Sequence, residues 1–291
     1  MPENLHTACR SEGRNVAGRI RVKPTILGIA SALAAGAASS YGTGTPFRTR
    51  RLSSTREPIF RMPPVVAALA AALVLVQFAR WLIDEPADLQ VLLWFAFVPA
   101  RYGGAVPIEL VFPGGLPADV WTFVSYAFLH GDITHLGVNL VWLLAFGTPV
   151  AWRFGTARFL AFFAVTAAAG ALAHFLTHPG ELAPLVGASA AISGAMAAAV
   201  RFAFEKGGPL GFMRGQGPEA FRVPAPPLLR ALRNPQVIVF LAVWVVLNLL
   251  FGASSVSSSF AAGTIAWEAH FGGFFAGLFL FPWFDPVRRQ A

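Results

Sequence analysis

The sequence predicts an all-α polytopic membrane protein with six spans, and three observations carry that reading. Hydrophobic residues make up 56% of the 291 positions and charged residues only 12%, about half the roughly 25% of a soluble domain. Six apolar runs are able to cross a hydrocarbon core that takes about 20 residues of helix. Basic residues gather in alternate loops, as in a chain that crosses repeatedly.

Residues 1–61 form a basic N-terminal extension rich in Arg, Ser and Gly, expected to be disordered, with one apolar piece (26–38) too short to span. It holds ten Lys/Arg against three Glu, so +7 of the net +8 lies there. A basic tail beside a span reads as a topology signal, and no nucleic-acid partner follows from it. Cys9 is the only cysteine, which excludes an intrachain disulfide and a thiolate metal cluster. The membrane domain occupies 62–291. Its expected spans are 64–82, 133–152, 159–176, 184–204, 235–251 and 264–283. Between the first two, the apolar run 89–98 is too short to cross, and its aromatics suit the membrane interface. A Pro- and Gly-rich stretch in the loop at about 205–234 reads as a flexible cytoplasmic linker.

Orientation follows from the loops. Arg153 and Arg158 follow the second span, Lys206, Arg214, Arg222, Arg230 and Arg233 follow the fourth, and Arg288 and Arg289 close the chain. The alternate loops hold Arg101 alone. Both termini are therefore expected in the cytoplasm, and the bias fits a bacterial inner (plasma) membrane.

Polar residues in such runs are expensive and mark function. Ser189 stands in Gly187-Ala188-Ser189-Ala190-Ala191-Ile192-Ser193-Gly194; taken alone it reads as structural, since a serine can bond its own helix backbone. Depth changes that. With the fourth span entering from outside near Pro184 and the sixth near Thr264, Ser189 lies roughly 8 Å deep and His270 about 9 Å. The second span enters from the same side with His135 and Asn139 on one face, four positions apart. A hydroxyl, a base for it, and two donors for a developing oxyanion make an acyl-transfer set. Glu268 falls on another helical face than His270, so the set is a Ser–His dyad. No H-E-x-x-H zinc motif is present, and Asp and Glu avoid span centres.

At these residues the sequence resembles the rhomboid intramembrane serine proteases. The matches are His130-x4-His135-x3-Asn139, Gly187-Ala188-Ser189, and Ala269-His270-x2-Gly273-x3-Gly277. The resemblance implies a rhomboid-like six-helix bundle, Ser189 as nucleophile, His270 as base, and His135 and Asn139 as oxyanion-stabilising groups. It also implies that His130 holds the first loop, that residues 252–263 cap the site, and that no cofactor is needed. Its substrates would be single-span membrane proteins, cut near the outer face of the bilayer, usually after a small residue. Two departures stand out: Ala190 replaces the usual glycine after the nucleophile, and the Trp-Arg pair of the first loop is missing, with Trp121-Thr122 nearest to it.

Rival readings remain for single residues. Ser193, one turn below Ser189, is the second nucleophile candidate. Gly273 and Gly277 make a small-residue ridge for close helix packing. His174 and His178 read as interfacial packing, since no third metal ligand is evident. Two other functions stand beside the protease: a non-catalytic rhomboid-like protein that binds membrane clients, and a haem carrier using His135 and His270.

Overall fold

Long apolar runs bounded by proline, glycine or a capping aspartate become helices here, because only a helix satisfies its own backbone in lipid. The computed structural model describes residues 62–103, 111–211, 215, 217–253 and 266–287. Helix α1 (Pro64–Trp81) has Pro64 at its first position, where a missing N–H costs nothing. Helix α2 (Glu85–Phe95) is capped by Asp84, which accepts from the Ala87 N–H at 3.1 Å. Helix α3 (Gly115–Ser125) follows, then α4 (Ile133–Trp142), which Asp132 caps by accepting from the His135 N–H at 2.8 Å. A π-helical turn, Leu143–Gly147, joins α4 to α5 (Thr148–Phe154). The chain continues through α6 (Thr156–Thr177), α7 (Ser189–Val200), the short α8 (Leu228–Leu232), α9 (Pro235–Ala253) and α10 (Trp267–Phe284). Among the described residues there is no strand, only an isolated antiparallel bridge between Phe97 and Leu185.

All six expected runs contain helix. Among the described residues, three elements have the length and composition to cross a membrane: Pro64–Trp81, the α4–α5 path Ile133–Phe154, and Thr156–Thr177; Ser189–Val200 and Pro235–Leu250 are shorter apolar helices. The fourth run departs most from expectation. Residues 184–188 are not helical, and α7 covers only twelve residues, about 18 Å of rise against a core near 30 Å. Gly187 is the reason: its φ of 114° is closed to most side chains and breaks the helix there. Ser189 is thus the first residue of α7 rather than one buried inside a longer helix. The sixth run has the length, but Glu268 and His270 occupy its first turn.

Helix α7 sits at the centre of the bundle. Every residue after Ser189 is buried, as expected of a helix that is apolar all round. It packs on α6 and α10 at near-backbone contact. A Cβ at Gly273 would collide with the Ala190 carbonyl oxygen, and one at Gly277 with the Gly194 carbonyl oxygen. The small-residue ridge is therefore the α7–α10 seam, and it is what brings the two helices within side-chain reach.

Three arginines brace the ends. Arg153 donates to both carboxylate oxygens of Asp285 at 2.8 Å, and also to the carbonyls of Phe221 and Val223. Arg201 also donates to the Pro226 carbonyl at 3.2 Å, so three backbone carbonyls of the expected linker bond to arginines of the bundle. At the other end, Arg101 donates to the carbonyls of Leu93 (2.5 Å) and Pro113 (3.0 Å) and pairs with Asp119 at 3.4 Å. Arg101 thus pins the first loop, which lacks the Trp-Arg pair of the family. The N-terminal extension and the expected cap from residue 254 to 263 lie outside the described residues.

Candidate active site

The site forms where the first turns of α7, α10 and α4 meet α9. Ser189 opens α7 directly after the left-handed turn at Gly187, so its hydroxyl stands clear of the helix barrel; both Ser189 and His270 keep partial exposure. The seam of small residues sets His270 opposite it, with Nε2 2.8 Å from Ser189 Oγ. Ser193 is buried one turn deeper, and the imidazole bonds Ser189. The placement also puts Ser189 among the first N–H groups of α7, which have no partners within the helix and carry its positive dipole end.

His135 comes in from α4 beside Gly187. A Cβ at Gly187 would lie 2.6 Å from His135 Nε2 and 3.8 Å from Ser189 Oγ, so the glycine makes room for the ring as well as for the turn. The Gly131 N–H donates to His135 Nδ1 at 3.4 Å. The neutral ring therefore carries its proton on Nε2, the nitrogen that faces Gly187. Asn139, one turn along, is buried and donates one Nδ2 hydrogen to the His135 carbonyl at 2.9 Å, leaving a second N–H.

His130 is buried, its ring edge-on to His135 at 5.1 Å between centroids. Its carbonyl accepts from Arg80 Nη1 at 2.6 Å, while Arg80 also forms a two-pronged pair with Asp88. The residue thus ties the loop to α1 through its backbone. Burial, with His135 and Arg80 adding to it, pushes the imidazole down to about 3, so it is neutral at pH 7.

One contact had no counterpart in the sequence reading. Asn248 of α9 places Oδ1 2.6 Å from His270 Nδ1. The orienting group is an amide rather than an acid, and it arrives from another helix. Glu268 turns instead toward the rim, 3.9 Å from His178 Nε2, where Glu181 also lies 3.9 Å away.

That rim holds the described cluster of metal-ligand types. His174 and His178 stack at 4.6 Å as packing rings would, and Glu181 supplies the third group missing from the sequence reading. Donor atoms of the three lie within 4.8 Å of one another, looser than the roughly 3.4 Å between ligands on a tetrahedral zinc.

Residues 117–284, more than half the chain, match the family model of the Rhomboid domain. The chain belongs to the rhomboid family. An 84-residue stretch, 29% of this chain, is 34% identical to human Rhomboid-related protein 3 and spans 20% of that protein. A stretch of the same length, 28% of this chain, is 40% identical to Rhomboid-like protease 3 of Toxoplasma gondii and spans 31% of it. The matched stretches thus cover less than a third of either relative. Membership makes the chain an all-helical integral membrane protein, and it bears on both departures noted above. The rhomboid loop is anchored here by Arg101, and the Ala190 methyl is buried against Gly170 of α6.

Proposed function

We propose that this rhomboid is an intramembrane serine endopeptidase that cleaves single-span membrane proteins near the outer face of the bilayer. The observation that carries the reading is the 2.8 Å contact between Ser189 Oγ and His270 Nε2, the separation of a nucleophile from its general base. His270 Nε2 takes the hydroxyl proton as Oγ attacks the scissile carbonyl. The charge that develops on the carbonyl oxygen is met by His135 Nε2–H, the free Asn139 N–H and the N-terminus of α7. The imidazolium then protonates the leaving amine, and water, activated by the same base, releases the acyl group from Ser189. No cofactor enters. His130, Gly187, Gly273 and Gly277 hold the geometry without touching the reacting atoms.

The membrane reading completes the proposal: six spans with both termini cytoplasmic, the basic residues 1–61 as an extension ahead of the 62–291 domain, and a bacterial inner membrane from the strong charge bias. The lipid bilayer and transmembrane substrates are the partners. A client-binding, non-catalytic rhomboid is the second reading, motivated by Ala190 in place of glycine. The haem reading loses its axial ligand, because both ring nitrogens of His270 are engaged.

The deciding experiment co-expresses a single-span reporter, with small residues at its outer helix boundary, with wild type, Ser189→Ala and Ser193→Ala at matched levels. Cleavage lost only with Ser189→Ala is the expected result. Loss only with Ser193→Ala moves the nucleophile one turn deeper, and no cleavage of several reporters favours client binding.

A further inference from the structure

We infer that Asn248 is a positioning residue that sets the tautomer of His270, so that the pair of Ser189 and His270 is oriented from a third helix. The inference rests on the protease reading of the same site and adds to it the group that aims the base.

The argument begins with the amide itself. Among the described residues of α9, Asn248 is the one buried polar residue, 9% exposed on a helix whose Ile238, Val239, Val243, Val246 and Leu250 are largely exposed. Its Nδ2 donates to the Trp244 carbonyl of its own helix at 2.8 Å. That bond fixes which end of the amide faces outward from α9: the oxygen, which can only accept. The oxygen lies 2.6 Å from His270 Nδ1, so Nδ1 must carry the proton. A neutral imidazole has a single N–H. Nε2 is therefore left as a bare lone pair, facing Ser189 Oγ at 2.8 Å. Of the two tautomers of His270, this is the one able to accept the serine proton. The other would set two lone pairs against each other at Nδ1 and Oδ1.

Register is supplied by the same helix pair. Trp244, one turn from Asn248, packs its ring on Phe271 and Phe274 of α10, at 5.1 Å and 4.7 Å between centroids. Trp244 and Asn248 on one helix thus meet Phe274 and His270 on the other, each pair four residues apart. An amide also suits the depth, because an ionised carboxylate there would carry a heavy desolvation cost. In serine proteases whose buried aspartate is replaced by asparagine, activity falls about 10⁴-fold because the histidine takes the wrong tautomer. The Trp244 bond removes that hazard here by holding the NH₂ group away from the ring.

The test compares purified wild type, Asn248→Leu, Asn248→Asp and Ser189→Ala for kcat and KM on a single-span reporter. It is paired with ¹⁵N-histidine NMR, in which His270 is assigned by its loss in His270→Ala. Asn248→Leu should lower kcat about 10- to 100-fold with KM within about twofold, a part of the ~10²–10⁴ that a positioned base supplies. Asn248→Asp, which offers an acceptor oxygen whether protonated or not, should recover most of that loss. The wild-type spectrum should show a protonated Nδ1 and a bare Nε2, a readout that needs neither activity nor a stable variant. The inference is overturned by a wild-type spectrum with the proton on Nε2, by unchanged kcat in Asn248→Leu, or by equal deficits in the Leu and Asp variants. Unimpaired cleavage in Ser189→Ala would instead sink the protease reading, and the NMR result would still report on Asn248.

Discussion

Ala190 of α7 and Gly170 of α6 fit together as a methyl and the space for it: a side chain at Gly170 would occupy the position of the Ala190 Cβ. The residue after Ser189, where rhomboids usually have glycine, is therefore accommodated by a small residue on the neighbouring helix. Ala190→Gly should leave reporter cleavage within about threefold of wild type and lower stability by about 1 kcal/mol. Gly170→Ala should cost more, about 1–3 kcal/mol, by overpacking the seam. Thermal unfolding in detergent beside a cleavage assay reads both, and a large gain in activity for Ala190→Gly would show that the methyl does reach the site.

Loss of an oxyanion donor should act on turnover. His135→Ala and Asn139→Ala are each expected to reduce kcat by about 10²–10³-fold, the usual effect of removing one such donor, with smaller changes in KM. Steady-state kinetics decides it, and a KM effect alone would assign these residues to substrate binding.

The hydroxyl at 189, rather than the one at 193, should be the site of covalent labelling. A fluorophosphonate probe should modify wild type and Ser193→Ala alike, leave Ser189→Ala unlabelled, and react at least tenfold more slowly with His270→Ala, since the base accounts for about 10²–10⁴ in rate. Intact-protein mass spectrometry gives the stoichiometry, and tryptic mapping gives the residue. Equal labelling of His270→Ala would remove the base from the proposal.

Arg101→Ala should loosen the first loop. Its side chain is 2% exposed, and its loss leaves the Leu93 and Pro113 carbonyls and Asp119 without their donor. The expected cost is about 2–3 kcal/mol, visible as a lower Tm and as faster proteolysis between α2 and α3. An unchanged cleavage pattern at full stability would show that the loop is held by its aromatic packing, in which Trp94 stacks on Trp121.

Much of the helix layout was legible because long apolar runs have few alternatives in lipid. The positions of α1, α6 and α9 follow their runs closely. The fourth run was read as one helix because hydropathy averages over Gly187, whose φ of 114° is a single-residue event. The π-turn at Leu143–Gly147 was likewise invisible inside the second run. At the candidate site, the motifs and the expected common depth of three inward runs pointed to Ser189, His270, His135 and Asn139, and the structure sets Ser189 Oγ 2.8 Å from His270 Nε2. Asn248 could not: it stands 22 residues before His270 in a run whose other polar residue is Gln236, and nothing local links the two. Glu181 joined His174 and His178 only once the chain had turned back past the end of α6.

The sequence by itself determined the helical class, the membrane setting and the rhomboid motifs, since these depend on which residues occur and how they are spaced. Tertiary structure decided the rest. It set Ser189 at the head of α7, drew α7 and α10 together along glycines, directed the Ala190 methyl to Gly170, and brought Asn248 to His270. Each of these depends on distances between helices, and interhelical distance is set by the packing of side chains that are remote in the chain.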